Sequence, residues 1–156
     1  MISSYRFDLA IDLPLDTFAR VVRDLARPAA IVPSGTRATE LLAGVVNTSG
    51  LWIRAEKPDP VENRADTSGR VPVACIRFRL AELGDEQRQA DDIARLVADT
   101  LASLPGDAQL ISEHRTVWLR RRDNDLVLNA DNTFWQPHRQ RLLLEPFERE
   151  TASLAS

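Results

Sequence analysis

The stretch Thr116-Val117-Trp118-Leu119-Arg120-Arg121-Arg122-Asp123-Asn124-Asp125-Leu126-Val127-Leu128-Asn129 decides the fold of this chain. Two apolar runs flank Asp123-Asn124-Asp125, a trio whose short polar side chains favour a tight turn. Alternation on both sides predicts a β-hairpin, with Leu126 to Asn129 as the returning strand. Within the first run Val117 and Leu119 share one face, and Trp118 and Arg120 the other. Arg120 and Arg122 fall on one side and Arg121 on the opposite side. A phosphate-binding surface needs more cations gathered together, so the three arginines read as a solvated hairpin rim that discourages edge-to-edge pairing.

Working outward, similar segments recur. Leu51-Trp52-Ile53-Arg54 reads almost as Val117-Trp118-Leu119-Arg120 does, and Arg6-Phe7-Asp8-Leu9-Ala10 matches Arg77-Phe78-Arg79-Leu80-Ala81. Between these lie amphipathic helical patterns, Phe18 to Leu25 and Gly84 to Leu104. The second is the strongest: Ile93, Leu96, Val97, Thr100, Leu101 and Leu104 form one stripe, and Pro105-Gly106 stops it. Strands are expected at Ser4 to Ile11, Leu41 to Val46, Leu51 to Ala55 and Val71 to Ala81. Ala108 to Arg121 reads as a full strand with a bend. Pro137 suits the first turn of a short C-terminal helix, Leu142 to Leu144 supply an apolar surface, and residues 151–156 read as a frayed tail.

The expectation is an α+β protein: one mainly antiparallel sheet, two long helices on one face and a short C-terminal helix. Residues 1–150 would form one domain, built from two βαββ-like halves at about 1–57 and 71–130. Chance likeness between amphipathic strands in an arginine- and alanine-rich chain is the competing reading of the echo.

Composition narrows function by exclusion. With 156 residues, 44% hydrophobic and 28% charged, the chain can fold without a staple. A net charge of −3 gives no electrostatic case for nucleic acid and mildly favours a basic protein partner. The lone cysteine, Cys75, allows no internal disulfide or multi-cysteine metal site. The N-terminus lacks a secretory signal and no apolar run spans a bilayer, so the cytoplasm is expected and no membrane.

No catalytic constellation emerges. Ser112-Glu113-His114 holds three catalytic residue types, yet on a strand Ser112 and His114 point one way and Glu113 the other. His138 has no carboxylate or cysteine at ligand spacing, so no metal is expected. Asp91 and Asp92 point about 100° apart on the long helix and favour its N-terminal part. No Walker loop, GxGxxG, HExxH or GxSxG occurs. Lys57, the single lysine, leaves little scope for Schiff-base chemistry. The chain reads as a non-enzyme without cofactors.

Two surfaces are candidates for a partner. One is the loop Pro58 to Arg70, where Asp59, Glu62 and Asp66 could steer onto a basic protein, diluted by Arg64 and Arg70. The other is the sheet face carrying Trp52 and Trp118, which the C-terminal segment with Trp135 would otherwise cover. The alternatives are a small-ligand domain and a self-associating one, a homodimer joined through an open sheet edge.

Several segments together resemble one family. They are Tyr5-Arg6-Phe7-Asp8-Leu9, Leu51-Trp52-Ile53-Arg54, Ile76-Arg77-Phe78-Arg79-Leu80, Leu104-Pro105-Gly106-Asp107-Ala108, the hairpin stretch Val117 to Asn129, and Phe134-Trp135-Gln136-Pro137-His138-Arg139. In order and pattern they are similar to the third class of swarming-inhibition (Sit-type) immunity proteins. That resemblance implies a non-enzymatic immunity protein that neutralises a cognate bacterial toxin in the producing cell.

Overall fold

The structure, a computed structural model, describes residues 3–57, 74–113, 115–131 and 133–150. Eight strands form one sheet: β1 (Ser4–Leu9), β2 (Val45–Val46), β3 (Trp52–Glu56), β4 (Ala74–Arg79), β5 (Ala108–Ser112), β6 (Val117–Arg122), β7 (Asp125–Asn129) and β8 (Phe147–Glu150). Their spatial order is β2-β3-β4-β1-β5-β6-β7-β8. Every pairing is antiparallel except β7 with β8, which is parallel. Among the described residues the helices are α1 (Leu15–Ala26), α2 (Ala38–Ala43), α3 (Glu86–Ser103) and α4 (Pro137–Gln140). This is the expected α+β class.

Alternation explains the layers. Register places Phe7, Leu9, Ile53, Ala55, Ala74, Ile76, Phe78, Leu110, Leu119 and Leu128 on one face. They share a single core with Phe18 and Val22 of α1 and Ile93, Leu96 and Val97 of α3. Both long helices therefore cover one side of the sheet. Asp85 caps α3, its carboxylate accepting the Arg88 N–H at 3.1 Å, which sets the start of the long apolar stripe.

The echo segments meet at the centre. Arg6 of β1 lies directly opposite Arg77 of β4, and Phe7 faces Ile76 as Tyr5 faces Phe78. Of the two segments, Arg6 and Arg77 alone stand opposite each other, and the rest of each pairs beyond the other's end. The Leu-Trp-Ile-Arg echo has no such placement. β3 pairs directly with β4, whereas β6 is one strand removed from β1, beyond β5.

Three expectations are corrected. Leu41 to Val46 is not a strand: Ala38–Ala43 is helical, and just Val45–Val46 pairs, with Ile53 and Trp52. Glu40 accepts the Arg37 N–H at 3.1 Å, a helix-start device that the apolar run obscured. Gly44 (φ +109) then ends α2, where a Cβ would meet the Trp52 indole at 2.5 Å. Ala108 to Arg121 is two strands, not one. The chain turns between Ser112 and Thr116, and Arg115 takes a left-handed conformation (φ +61). A final strand, β8, was not expected at all.

The arginine run brings the largest correction. Arg121 is no rim residue: it is 4% exposed and sits on the helix side, opposite Ala108, whose small side chain leaves it room. Its Nη1 donates to Leu101 O at 2.9 Å, Nη2 to Leu104 O at 2.6 Å and Nε to Gly106 O at 2.8 Å. Glu145 completes the set, its Oε1 accepting from Nη1 at 2.7 Å. A helix end leaves carbonyls without intrahelical donors, and α3 has no basic residue in its last turn. Arg121 supplies that cation from the sheet.

Arg121→Ala would bury these carbonyls and Glu145 without their donor, and is expected to destabilise the fold by about 3 kcal/mol. Arg20→Ala, which removes an exposed pair with Asp16, is expected to change stability by under about 0.5 kcal/mol. Urea unfolding of both variants measures the contrast.

Candidate binding surface

The other face of the sheet carries the polar half of every strand, and register sorts its central part into rows. The middle row runs Arg54, Arg77, Arg6 and Ile111 across β3, β4, β1 and β5. On one side lie Glu56, Cys75, Asp8, Gln109 and Arg120; on the other lie Trp52, Arg79 and Ser4. Like charges side by side across strands repel, so three adjacent arginines need compensation. Asp8 and Glu56 provide it. Arg6 Nε donates to Asp8 Oδ1 at 2.8 Å, Arg77 pairs with Glu56, and Arg54 Nε lies 3.6 Å from Glu56 Oε2.

The carboxylate row is closed to solvent: Asp8 is 3% exposed, Gln109 2% and Cys75 0%. Burial first, then the Asp8 and Glu56 carboxylates, push the Cys75 thiol pKa well up, so it stays protonated and unreactive. Toward the Ser4 end the surface opens into a cleft of about 280 Å³. Ser4, Tyr5, Arg6, Arg77 and Ile111 line it together with Ser112, Glu113 and Arg115 from the β5–β6 turn. The Ser4 hydroxyl donates to Glu113 Oε2 across it at 3.4 Å.

The two tryptophans singled out from sequence do not form one patch. β3 and β6 are four strand spacings apart, about 19 Å. Trp52 is half-buried between Gly44 and the Arg79 guanidinium, which lies 5.1 Å from the ring centroid. Trp118 sits where β5 and β6 shift register and packs on the core, its ring 6.1 Å from Phe134. Phe134 also meets Tyr5 at 5.4 Å and Trp135 at 5.1 Å. The C-terminal segment therefore covers Trp118, and Trp135 is fully buried beside Phe134. Asp59, Glu62, Asp66 and His114 lie outside the described residues.

Sequence reasoning missed the tie that holds this segment down. Asp91 Oδ1 accepts from Arg139 Nε at 2.7 Å and lies 2.7 Å from His138 Nε2. Arg139, 1% exposed, also donates to Gln87 Oε1 and to Phe134 O. Partners 48 residues apart leave no local signal. Among the described residues, no group of three histidine, cysteine or acidic side chains is placed to hold a metal.

Burial of Asp91 would raise its pKa, but the hydrogen bonds from Arg139 and His138 outweigh this and hold it below the ordinary aspartate value. A carboxylate depressed in the folded state contributes stability that is full at neutral pH, above its unfolded value of about 3.9. That contribution is lost as pH falls from there through the lower folded value. Asp91→Asn is therefore expected to lower the melting temperature at pH 7 and to narrow its gap from the parent below about pH 4. Melting curves across pH check this.

In comparison with known proteins, the SitI3-like family model aligns to residues 3–139, from the start of β1 into α4. No curated protein and no solved structure matched. With that match covering most of its length, the chain belongs to the SitI3-like family.

Proposed function

We propose that this chain is an immunity protein that binds a cognate bacterial toxin in the cytoplasm of the producing cell and neutralises it without catalysis. The family match over residues 3–139 carries the reading. The disposition of the reactive side chains supports it. Cys75 is buried and protonated, and His138 is tied to Asp91 at the foot of a structural segment. No helix among the described residues is long and apolar enough to cross a membrane.

Partner contacts are proposed at the polar sheet face near Trp52, and at Asp59, Glu62 and Asp66; Trp118, covered by the C-terminal segment, falls outside that surface. A tight complex would draw its affinity from a few aromatic and arginine anchors within a polar rim. Edge pairing with a second copy is disfavoured at β8. Antiparallel pairing that keeps both helical layers on one side sets Glu148 against Glu148 or Glu150 of the other copy.

Co-expression with the product of the gene immediately upstream tests the reading. The expected outcome is growth rescue, with both polypeptides co-purifying as a stable complex. Rescue accompanied by loss of the toxin and no complex would overturn simple blocking.

A further inference from the structure

We infer that the cleft at the Ser4 end of the polar sheet face receives a single acidic side chain, aspartate or glutamate, from the protein partner. This inference rests on the immunity reading and assigns it a contact point.

Charge carries the argument. The outward positions of β3, β4 and β1 hold four arginines, Arg6, Arg54, Arg77 and Arg79, against the carboxylates Asp8 and Glu56, whereas those of β7 and β8 set Asp125, Glu148 and Glu150 beside Arg120 and Arg122 of β6. The chain as a whole is acidic, at −3, so the β3–β4–β1 part of this face departs in sign from the whole. Asp8 is buried and Glu56 half-buried in the row away from the cleft, so the excess positive charge falls toward the open end. There the cleft takes Arg6 and Arg77 from its floor and the exposed Arg115 from the β5–β6 turn, against Glu113.

Shape narrows the occupant. A space of about 280 Å³ suits one side chain better than a cofactor or a peptide. Guanidinium groups match carboxylates in geometry and bind them with charge-assisted hydrogen bonds. The Ser4 hydroxyl stands on the same wall, donating to Glu113. Glu113 opposes a carboxylate entering beside it, so it limits the cleft to one acid.

The binding partner for the test is the purified upstream gene product, titrated calorimetrically against this protein. Arg115→Asp is the main variant. Arg115 is exposed and has φ +61, a conformation aspartate tolerates better than most residues. An unchanged melting curve will show that the fold is kept. The expected result is at least a tenfold rise in Kd for Arg115→Asp and a fall of several-fold for Glu113→Gln. Arg20→Glu, on the helical side, should leave Kd within twofold. A parent complex whose Kd is unmoved by both cleft variants would overturn this inference and leave the immunity reading standing. Absence of any complex with the parent protein would overturn both. Competition by millimolar inorganic phosphate as effective as that by a glutamate-containing peptide would show a general anion site and contradict the assignment to a side-chain carboxylate.

Discussion

Four segments of this protein meet on one guanidinium. Arg121 rises from β6 on the helix side of the sheet, gathers the last carbonyls of α3 and of the loop beyond it, and holds Glu145 just before β8. A buried charge without partners would be intolerable in such a place. With them, it fixes where α3 ends, how that end sits over β5 and β6, and where the chain enters its last strand. Arg139 does the equivalent at the other end of α3, tying the C-terminal segment to Gln87 and Asp91. The two buried arginines thus bracket one helix. The apolar interface supplies the larger share of stability, being non-directional; the arginines supply position.

What the sequence shows plainly is what depends on period. The alternation of Tyr5, Phe7 and Leu9, and the stripe Ile93, Leu96, Val97 and Leu101, lead directly to β1, α3 and the face on which they meet. The turn at Asp123 and Asn124 was equally legible, since both adopt positive φ, as a tight hairpin asks. What stayed hidden depends on partners distant in the chain. Alternation puts Arg121 on the face of Leu119 and Arg120 on the other, but nothing local shows that a guanidinium on the inner face is buried among partners. Leu41 and Leu42 look like strand residues until Glu40 is seen to close the first turn of α2. β8 is mostly charged and exposed, and only its pairing with β7 makes it a strand.

The candidate surface was half legible for the same reason. Trp52 and Trp118 were identifiable as large side chains on similar segments, but a repeat in sequence does not fix sheet order. β4, β1 and β5 intervene between β3 and β6, so the tryptophans are far apart and differently enclosed. The row Arg54, Arg77, Arg6 could be found only with the register known, because the three come from separate strands. Its emergence moves attention from aromatic anchors to a cationic cleft.

Under the proposed function the protein works by occupying a toxin's surface through shape and charge. The most direct measurement is a titration of purified toxin with this protein, followed by intact-mass analysis of both chains after dissociation. The account predicts that toxic activity falls in proportion to added protein and vanishes at a fixed stoichiometry, with both masses unchanged. Neutralisation by a small fraction of an equivalent, or a toxin recovered cleaved or chemically altered, would contradict it.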